Sequence, residues 1–306
     1  MNNFLTVVIP YYKRRFLDAA LASLAGQTDK NFKVFIGDDG SPEDPAEIIQ
    51  KYRGQLEINY RRFPDNLGRT SLVRHWNRCV RETNSEWVWL FSDDDVAATD
   101  CVESFAETLS ETRGSFEIYR FNIKVINEEG VTVEQPASHP TVETGDEFAL
   151  EKIKGTRFSF AVEYIFRRKV FDTADGFVDF PLAWCSDDAS WIAFARKNGI
   201  RTIEGGGISW RKSSLNLSAP KPEHIKKKLA AFRSYLVWLR KEFPDPAFQQ
   251  NLCAEVARRF PDTMNWWGKP GLMEGVKFWF FFARFTGQMN VTLLRKLLGI
   301  SCFKRT

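Results

Sequence analysis

Three consecutive aspartates, Asp93, Asp94 and Asp95, follow Ser92 and the apolar run Trp87-Val88-Trp89-Leu90-Phe91. Adjacent carboxylates repel one another, and a local cluster of them attracts a compensating cation. At the C-terminal end of a strand they would point into the crevice where α/β sheets bind ligands. Oxygen-only ligands suit a hard cation such as Mg²⁺ or Mn²⁺, which commonly bridges to phosphate oxygens. A plainer account is a helix start, with Asp95 or Thr99 capping a helix over 100–113. One aspartate is enough for a cap, so three favour a metal–diphosphate site.

A second acidic cluster is Asp38-Asp39-Gly40-Ser41, which stops the strand-like run Phe32-Lys33-Val34-Phe35-Ile36. A carboxylate at a strand end can accept a proton from a nucleobase imide or a ribose hydroxyl, and Gly40 lets the backbone turn sharply. The same residues would also suit an Asx turn.

The elements around these clusters alternate. Strands are predicted at 5–9, 32–36, 56–60 and 87–91, and helices at 16–24, 45–52 and 69–83. This βαβα order implies an α/β fold with a mostly parallel, Rossmann-like sheet. Further on come strands at 116–121 and 161–166, a hairpin over 123–133 turning at Glu128-Glu129-Gly130, and helices at 146–154 and 187–197. From Pro222 the chain reads as helical, in pieces at 222–241, 246–260, 271–287 and 290–299, with breaks at Pro244, Pro246, Pro261 and Pro270. The expected division is 1–218 for a catalytic domain and 219–306 for a helical extension.

Charge follows the same division. Residues 221–306 carry 16 Lys+Arg against 6 Asp+Glu, whereas residues 1–220 carry 27 against 33. The chain is rich in aromatics, and the late run Lys277-Phe278-Trp279-Phe280-Phe281-Phe282-Ala283-Arg284 sets rings beside cations, as at a bilayer interface. Packing of these helices on the body or on a second subunit would use the same residues. The run is too short to span a bilayer. The chain lacks a basic n-region followed by an apolar h-region, so no cleaved signal peptide is expected. Five cysteines (Cys79, Cys101, Cys185, Cys253, Cys302) without CxxC spacing argue against a zinc site or a disulfide framework and fit a reducing cytosol. No GxGxxG follows the first strand, against a Rossmann dehydrogenase. An acidic body and a tail without a recognisable module argue against nucleic-acid binding.

Several segments together resemble the family 2 glycosyltransferases, nucleotide-sugar enzymes of the GT-A fold. They are Val7-Val8-Ile9-Pro10-Tyr11-Tyr12-Lys13-Arg14, Ser23-Leu24 with Gln27-Thr28, and Phe35-Ile36-Gly37-Asp38-Asp39-Gly40-Ser41. Asn66-Leu67-Gly68, Trp76-Asn77, Glu86-Trp87-Val88 and the aspartate triplet continue the pattern. Ile165 to Phe171, Gly176-Phe177, Ser186-Asp187-Asp188, and Trp210-Arg211 with Asn216 and Ser218 complete it. The resemblance covers residues 4–218 in unbroken order and leaves out the helical tail. It implies a GT-A sheet with a helical C-terminal extension.

Residue by residue, it implies that Pro10 and Tyr12 line the nucleotide pocket, that Asp39 hydrogen-bonds the base, usually uracil, and that Asp38 supports the ribose. Asp94 would hold Mn²⁺ or Mg²⁺, with Asp93 and Asp95 on ribose, diphosphate or the metal shell. The first aspartate of the family's Asp-x-Asp-Asp is Ser92 here. Asp188 would be the base, with Asp187 replacing the family's usual glutamate, and helix capping is the competing use of this pair. Arg211 would contact diphosphate oxygens, although Ser213 stands where many relatives have a histidine. Trp184 could stack on an acceptor sugar, but core packing suits it better. The implied reaction is inverting transfer of a sugar from a nucleotide-diphosphate donor, UDP favoured, to a hydroxyl of a glycan or lipid-linked glycan. The expected setting is cell-surface polysaccharide synthesis, lipopolysaccharide included, in the cytoplasm or peripherally at the inner face of the cell membrane. An oligomer is compatible with the sequence. The alternative is a non-catalytic nucleotide-sugar or glycan-binding subunit of an envelope complex.

Overall fold

The structure is a computed structural model that describes residues 4–219, 221–267 and 270–298. Its first half alternates as predicted: β1 (Leu5–Tyr11), α1 (Leu17–Ala25), β2 (Phe32–Asp38), α2 (Ala46–Tyr52), β3 (Ile58–Arg62), α3 (Leu72–Arg81) and β4 (Trp87–Leu90). Then follow β5 (Val96–Ala97), α4 (Cys101–Glu111), β6 (Ile118–Arg120), β7 (Ile123–Ile126), β8 (Thr132–Glu134), β9 (Val142–Glu143) and α5 (Gly145–Lys154). β10 (Tyr164–Arg167), α6 (Arg168–Thr173), α7 (Ser186–Phe194), β11 (Ile200–Thr202) and β12 (Ile208–Arg211) lead into the helices α8 (Ile225–Glu242), α9 (Pro246–Trp267), α10 (Leu272–Thr286) and α11 (Val291–Leu297).

The described residues form two compact units that do not follow chain order. The first holds residues up to Gly145 together with Ser159–Asp179 and Ser190–Ser214. The second holds Asp146–Phe158, Phe180–Ala189 and the described residues from Leu215 onward.

In the first unit an eight-stranded sheet runs β3-β2-β1-β4-β10-β6-β11-β9, and a smaller one runs β5-β12-β7-β8. β3, β2, β1 and β4 are mutually parallel, with Tyr11 opposite Asp38 and Val8 opposite Leu90. Their C-terminal ends therefore lie along one edge, which is where the residues of the acidic clusters emerge. β10 enters antiparallel between β4 and β6. The strands β1, β2 and β4 are buried almost throughout, which explains their continuous apolar runs. Their core is aromatic: Trp87 packs edge-on to Phe105 and Tyr119, and Trp89 to Phe91, at ring separations of 5.1–5.4 Å. Trp89 is fully buried and its indole N–H donates to the Val162 carbonyl at 2.7 Å.

Several boundaries differ from expectation. The strand expected over 161–166 starts only at Tyr164, because Ala161–Glu163 forms a 3₁₀ turn closed by the Phe160 N–H on the Glu163 carboxylate. The helix expected to run to 197 ends at Phe194. Pro261 does not break α9, which passes through it; the lost N–H bond and the ring's clash with the carbonyl one turn earlier are offset by burial of the helix flank. The predicted hairpin is present, with β7 and β8 antiparallel and Gly130 at φ 85° in the turn. Four cysteines are free, while Cys302 and the end of the helix expected at 290–299 lie outside the described residues.

Trp89→Ala removes a fully buried indole of the sheet core together with its hydrogen bond. Chemical unfolding followed by circular dichroism is expected to show a loss of about 3–5 kcal/mol; a loss under about 1 kcal/mol would mean that this cluster does not anchor the sheet.

Candidate active site

The aspartate triplet emerges beyond β4. The capping account fails, because α4 starts after Asp100, and neither Asp95 nor Thr99 is its cap. Asp93 Oδ2 instead accepts the backbone N–H groups of Tyr12 and Lys13, each at 3.0 Å, tying the end of β1 to the end of β4. Asp95 is 1 % exposed; its Oδ1 accepts the Arg211 N–H at 2.7 Å, and Ser92 adds a side-chain bond. Arg211 donates through Nε to the Asp94 carbonyl (2.8 Å) and through Nη1 to the carbonyls of Asn127 and Glu128 (3.0 and 2.9 Å). Its guanidinium also lies 4.6 Å over the Phe16 ring. Most of this arginine is thus spent on holding the triplet loop to the β7–β8 turn.

Burial first, and then mutual repulsion, push these acids up. Asp94 rises to about 7, mainly through burial and then the charge of Asp93, with Lys13 and Arg211 opposing. Asp95 rises well above the carboxylate range, through burial and then Asp94, and Asp93 rises through burial. The cluster is short of positive charge, and Asp95 Oδ2 is buried without a hydrogen-bond partner. An all-oxygen donor set of this kind fits a hard divalent cation. Among the described residues no three His, Cys, Asp or Glu side chains make a ready metal cage. A cation here would take one or two of these carboxylates and need further oxygen donors.

The second cluster lies at the end of β2, two strands away in the same sheet. Asp38 is fully buried, taking the Ser41 N–H (2.7 Å), the Tyr60 hydroxyl (2.6 Å) and Arg62 (3.0 Å). Asp39 takes the N–H groups of Leu67 (2.9 Å) and Gly68 (2.7 Å) and an ion pair with Arg78. These bonds take about three of the roughly four lone-pair directions of each carboxylate. Gly68 is required by this approach, since a Cβ there would sit 2.5 Å from Asp39 Oδ2. Burial raises the Asp39 carboxyl, against Gly68, Leu67 and Arg78. Tyr12 presents a 42 % exposed ring on the same edge, next to the half-buried Pro10. The sheet thus brings Pro10, Tyr12, Asp38, Asp39 and Asp93 to Asp95 to one edge.

Asp187 and Asp188 belong to the second unit and open α7. Asp188 forms an ion pair with Lys152 of α5 at 3.0 Å. Asp187 is raised to about 7 by burial and then by Asp188, with Lys152 opposing. Just before the pair, Leu182, Ala183 and Cys185 all take positive φ (62°, 54° and 62°). Non-glycine residues in this region cost on the order of 1–3 kcal/mol each, so the packing around this turn must hold it in place. The buried Ser186 hydroxyl accepts the Phe180 N–H at 2.9 Å and closes the loop. Trp184 packs edge-on to Trp267 at 5.3 Å, and Lys228 lies over its face at 4.2 Å.

With this geometry in place, the comparisons are informative. The family described as "Glycosyl transferase family 2" matches residues 6–173. The chain belongs to glycosyl transferase family 2. Among curated relatives of this family, the chain is 35 % identical over 112 residues to a chondroitin synthase of Pasteurella multocida (36 % of this chain, 11 % of that protein). It is 25 % identical over 133 residues to the poly(ribitol-phosphate) beta-N-acetylglucosaminyltransferase TarS of Staphylococcus aureus (43 % and 22 %). An uncharacterized glycosyltransferase of Rickettsia felis is 25 % identical over 221 residues (70 % and 33 %). The chain thus spans between about a tenth and a third of the length of these relatives. A crystal structure of S. aureus TarS 1-349 in complex with UDP-GlcNAc superposes with a TM-score of 0.72 at 17 % identity, over 97 % of this chain and 90 % of that one. That likeness establishes the GT-A fold.

Sequence reasoning missed the basic partners of the acids. Lys13, Arg62, Arg78 and Lys152 come from other elements, and no spacing in the sequence announces the pairing. His75 is buried beside Asp39 at 3.4 Å and edge-on to Phe63 at 6.0 Å, so it supports the Asp39 loop.

Burial, and then Arg78, hold His75 down to about 4. Between that value and its ordinary one near 6.5 the unfolded chain binds the extra proton, so His75 opposes folding increasingly as pH falls through this window. Stability from urea titrations is expected to drop by up to about 3 kcal/mol from pH 7 to pH 4 on this account, and His75→Gln to flatten that slope. An unchanged slope in the variant would place the acid sensitivity elsewhere.

Proposed function

We propose that this chain is an inverting glycosyltransferase that moves a sugar from a nucleotide-diphosphate donor, UDP-linked by preference, to a hydroxyl of a glycan or lipid-linked glycan. The observation that carries the reading is the charge-deficient triplet Asp93-Asp94-Asp95 on the edge that also holds Asp38, Asp39 and Tyr12. Anions held this close await a partner that is both cationic and rich in oxygen, which a metal-bound nucleotide diphosphate supplies. UDP-GlcNAc in the TarS complex supports a UDP-sugar as the first donor to try. Polysaccharide synthesis is the setting suggested by the chondroitin synthase and TarS relatives.

In this reading Tyr12 stacks against the base or ribose, and the remaining acceptor direction of Asp39 takes the uracil imide. Asp38 acts one step back, holding Tyr60 and Arg62 beside the ribose. Asp94 and Asp95 hold Mn²⁺ or Mg²⁺, while Asp93 fixes the Tyr12–Lys13 backbone. Neutralising charge on the departing diphosphate is the chemistry a bound divalent ion supplies there. Lys13 and Arg211 add positive charge next to the triplet. Asp188 removes the proton of the attacking hydroxyl, and attack opposite the leaving group inverts the anomeric carbon.

The helices of the second unit favour a surface location. From residue 275 onward the sequence has six Lys+Arg and no Asp or Glu. On α10, Met273, Lys277, Phe280 and Arg284 are all exposed and fall at helical spacing on one face. Such a stripe suits the interface of an anionic bilayer, with Phe280 at headgroup depth. No described helix is long and apolar enough to cross a membrane. A cytoplasmic enzyme peripheral to the membrane, working on a lipid-linked acceptor, accords with this stripe.

Calorimetric titration of UDP in the presence of Mn²⁺ tests the donor site. Asp94→Ala is expected to weaken binding by at least about tenfold, or ~1.4 kcal/mol, with the circular dichroism spectrum retained; equal affinities would remove Asp94 from the site. Nucleotide release from UDP-GlcNAc tests catalysis, and binding without any turnover of a panel of nucleotide sugars would favour the binding-subunit alternative. For the tail, Lys277→Glu with Phe280→Ser is expected to abolish cosedimentation with vesicles of anionic lipid. Wild-type protein that stays in the supernatant with such vesicles would end the membrane proposal.

A further inference from the structure

Lys152 is a half-buried cation whose purpose the proposed reaction leaves unexplained. It lies on α5, outside every motif of the family resemblance and within a turn of the helix C-terminus. Its Nζ is 3.0 Å from Asp188 Oδ1, and both side chains are largely withdrawn from solvent. Around them in the second unit stand Asp187 and Cys185 from the same turn and Tyr235 from α8, whose buried hydroxyl has no hydrogen-bond partner. The neighbourhood contains two carboxylates, a thiol and a phenol, and Lys152 is the cation that the described residues set against them.

Removing an ammonium from water is unfavourable, and a lysine is retained in such a place when an anion compensates it. Burial pushes Lys152 down, but Asp188 and then Asp187 outweigh it, so that it stays protonated. The thiol of Cys185 is pushed well up by burial and by the two aspartates, which keeps it neutral. Tyr235 is likewise pushed up by burial and by Asp188, and remains a neutral phenol. Lys152 is therefore the group able to counter the negative charge of the pair.

We infer that Lys152 is a positioning residue for the acceptor-side base: its ammonium keeps the Asp188 carboxylate ionised inside a buried pocket and fixes the direction in which it faces. A carboxyl group must be ionised before it can accept a proton, and desolvation alone would favour the neutral acid. Lys152 stands 3.0 Å from Asp188, whereas Asp187 beside it is raised to about 7 by burial and then by the charge of Asp188. The inference rests on the reading of Asp188 as the base, and adds the reason why this aspartate can serve at neutral pH.

The test needs no substrate. Infrared titration of the protein in D₂O follows the carboxylic acid C=O band in an Asp187→Asn background, which removes the band of Asp187, and Asp188→Asn then identifies the contribution of Asp188. With Lys152 present, the band that Asp188→Asn removes is expected to be absent at pH 7. In Lys152→Met it should appear at pH 7 and disappear in the Lys152→Met/Asp188→Asn double variant, while Lys152→Arg restores the wild-type behaviour. A Lys152→Met protein whose Asp188 remains ionised at pH 7 overturns the inference. Retained UDP affinity in each variant checks folding.

Nucleotide release from UDP-GlcNAc separates this inference from the reading beneath it. Lys152→Met is expected to move the acidic limb of kcat/KM upward by about one pH unit or more, with KM for the donor held. If Asp188→Asn keeps the wild-type rate, Asp188 is not the base. If Asp188→Asn is inactive yet Lys152→Met lowers the rate without moving the limb, the base reading stands and the role given to Lys152 is wrong.

Discussion

Carboxylates gathered out of water must find positive charge, and the architecture of this chain is organised around that requirement. At the edge of the large sheet five aspartates from β2 and the β4 loop crowd the ends of adjacent strands. Repulsion in a poorly solvated place is strong, because the effective dielectric is low. Backbone N–H groups answer part of it: those of Tyr12 and Lys13 serve Asp93, and those of Leu67 and Gly68 serve Asp39. Arg62 and Arg78 answer another part at Asp38 and Asp39. Asp94 and Asp95 stay pushed up by burial and by the charges of their neighbours, and the proposed cation site rests on that.

The same requirement explains why loops as well as strands are well defined here. Arg211 spends Nε and Nη1 on three carbonyls, locking the triplet to the β7–β8 turn. Gly68 gives up its side chain so that its amide can reach Asp39. His75 stays neutral behind that loop, filling space against Phe63 and leaving the charge to Arg78. In the second unit the strained turn through Leu182, Ala183 and Cys185 presents Asp187 and Asp188, and Lys152 provides the answering charge. Strain in a turn that carries acids is tolerable when the surroundings over-determine it.

Much of the fold could be read from pattern. The runs at 5–9, 32–36 and 87–91 are apolar without alternation because both faces of those strands are covered, and the parallel order follows from helices placed between them. The hairpin at 123–133 was legible from its Glu-Glu-Gly turn. Boundaries were less so. The 3₁₀ turn before β10 depends on a reach from Glu163 to the Phe160 amide, and the passage of α9 through Pro261 depends on what its flanks bury. Neither is encoded in local propensity.

By itself, the sequence determined which chemistry was available. Aspartates at the ends of apolar runs, in the order shared with family 2, specify an anionic site at strand tips, because side chains at the C-terminal ends of parallel strands have one edge to occupy. What each aspartate does there was decided by tertiary structure. Asp93 became a backbone clamp, Asp39 a holder of the Leu67–Gly68 loop, and Asp188 the partner of a lysine 36 positions earlier in the chain. Compensation of buried charge acts over a few ångströms of space rather than over sequence distance, so only the folded chain could assign the partners.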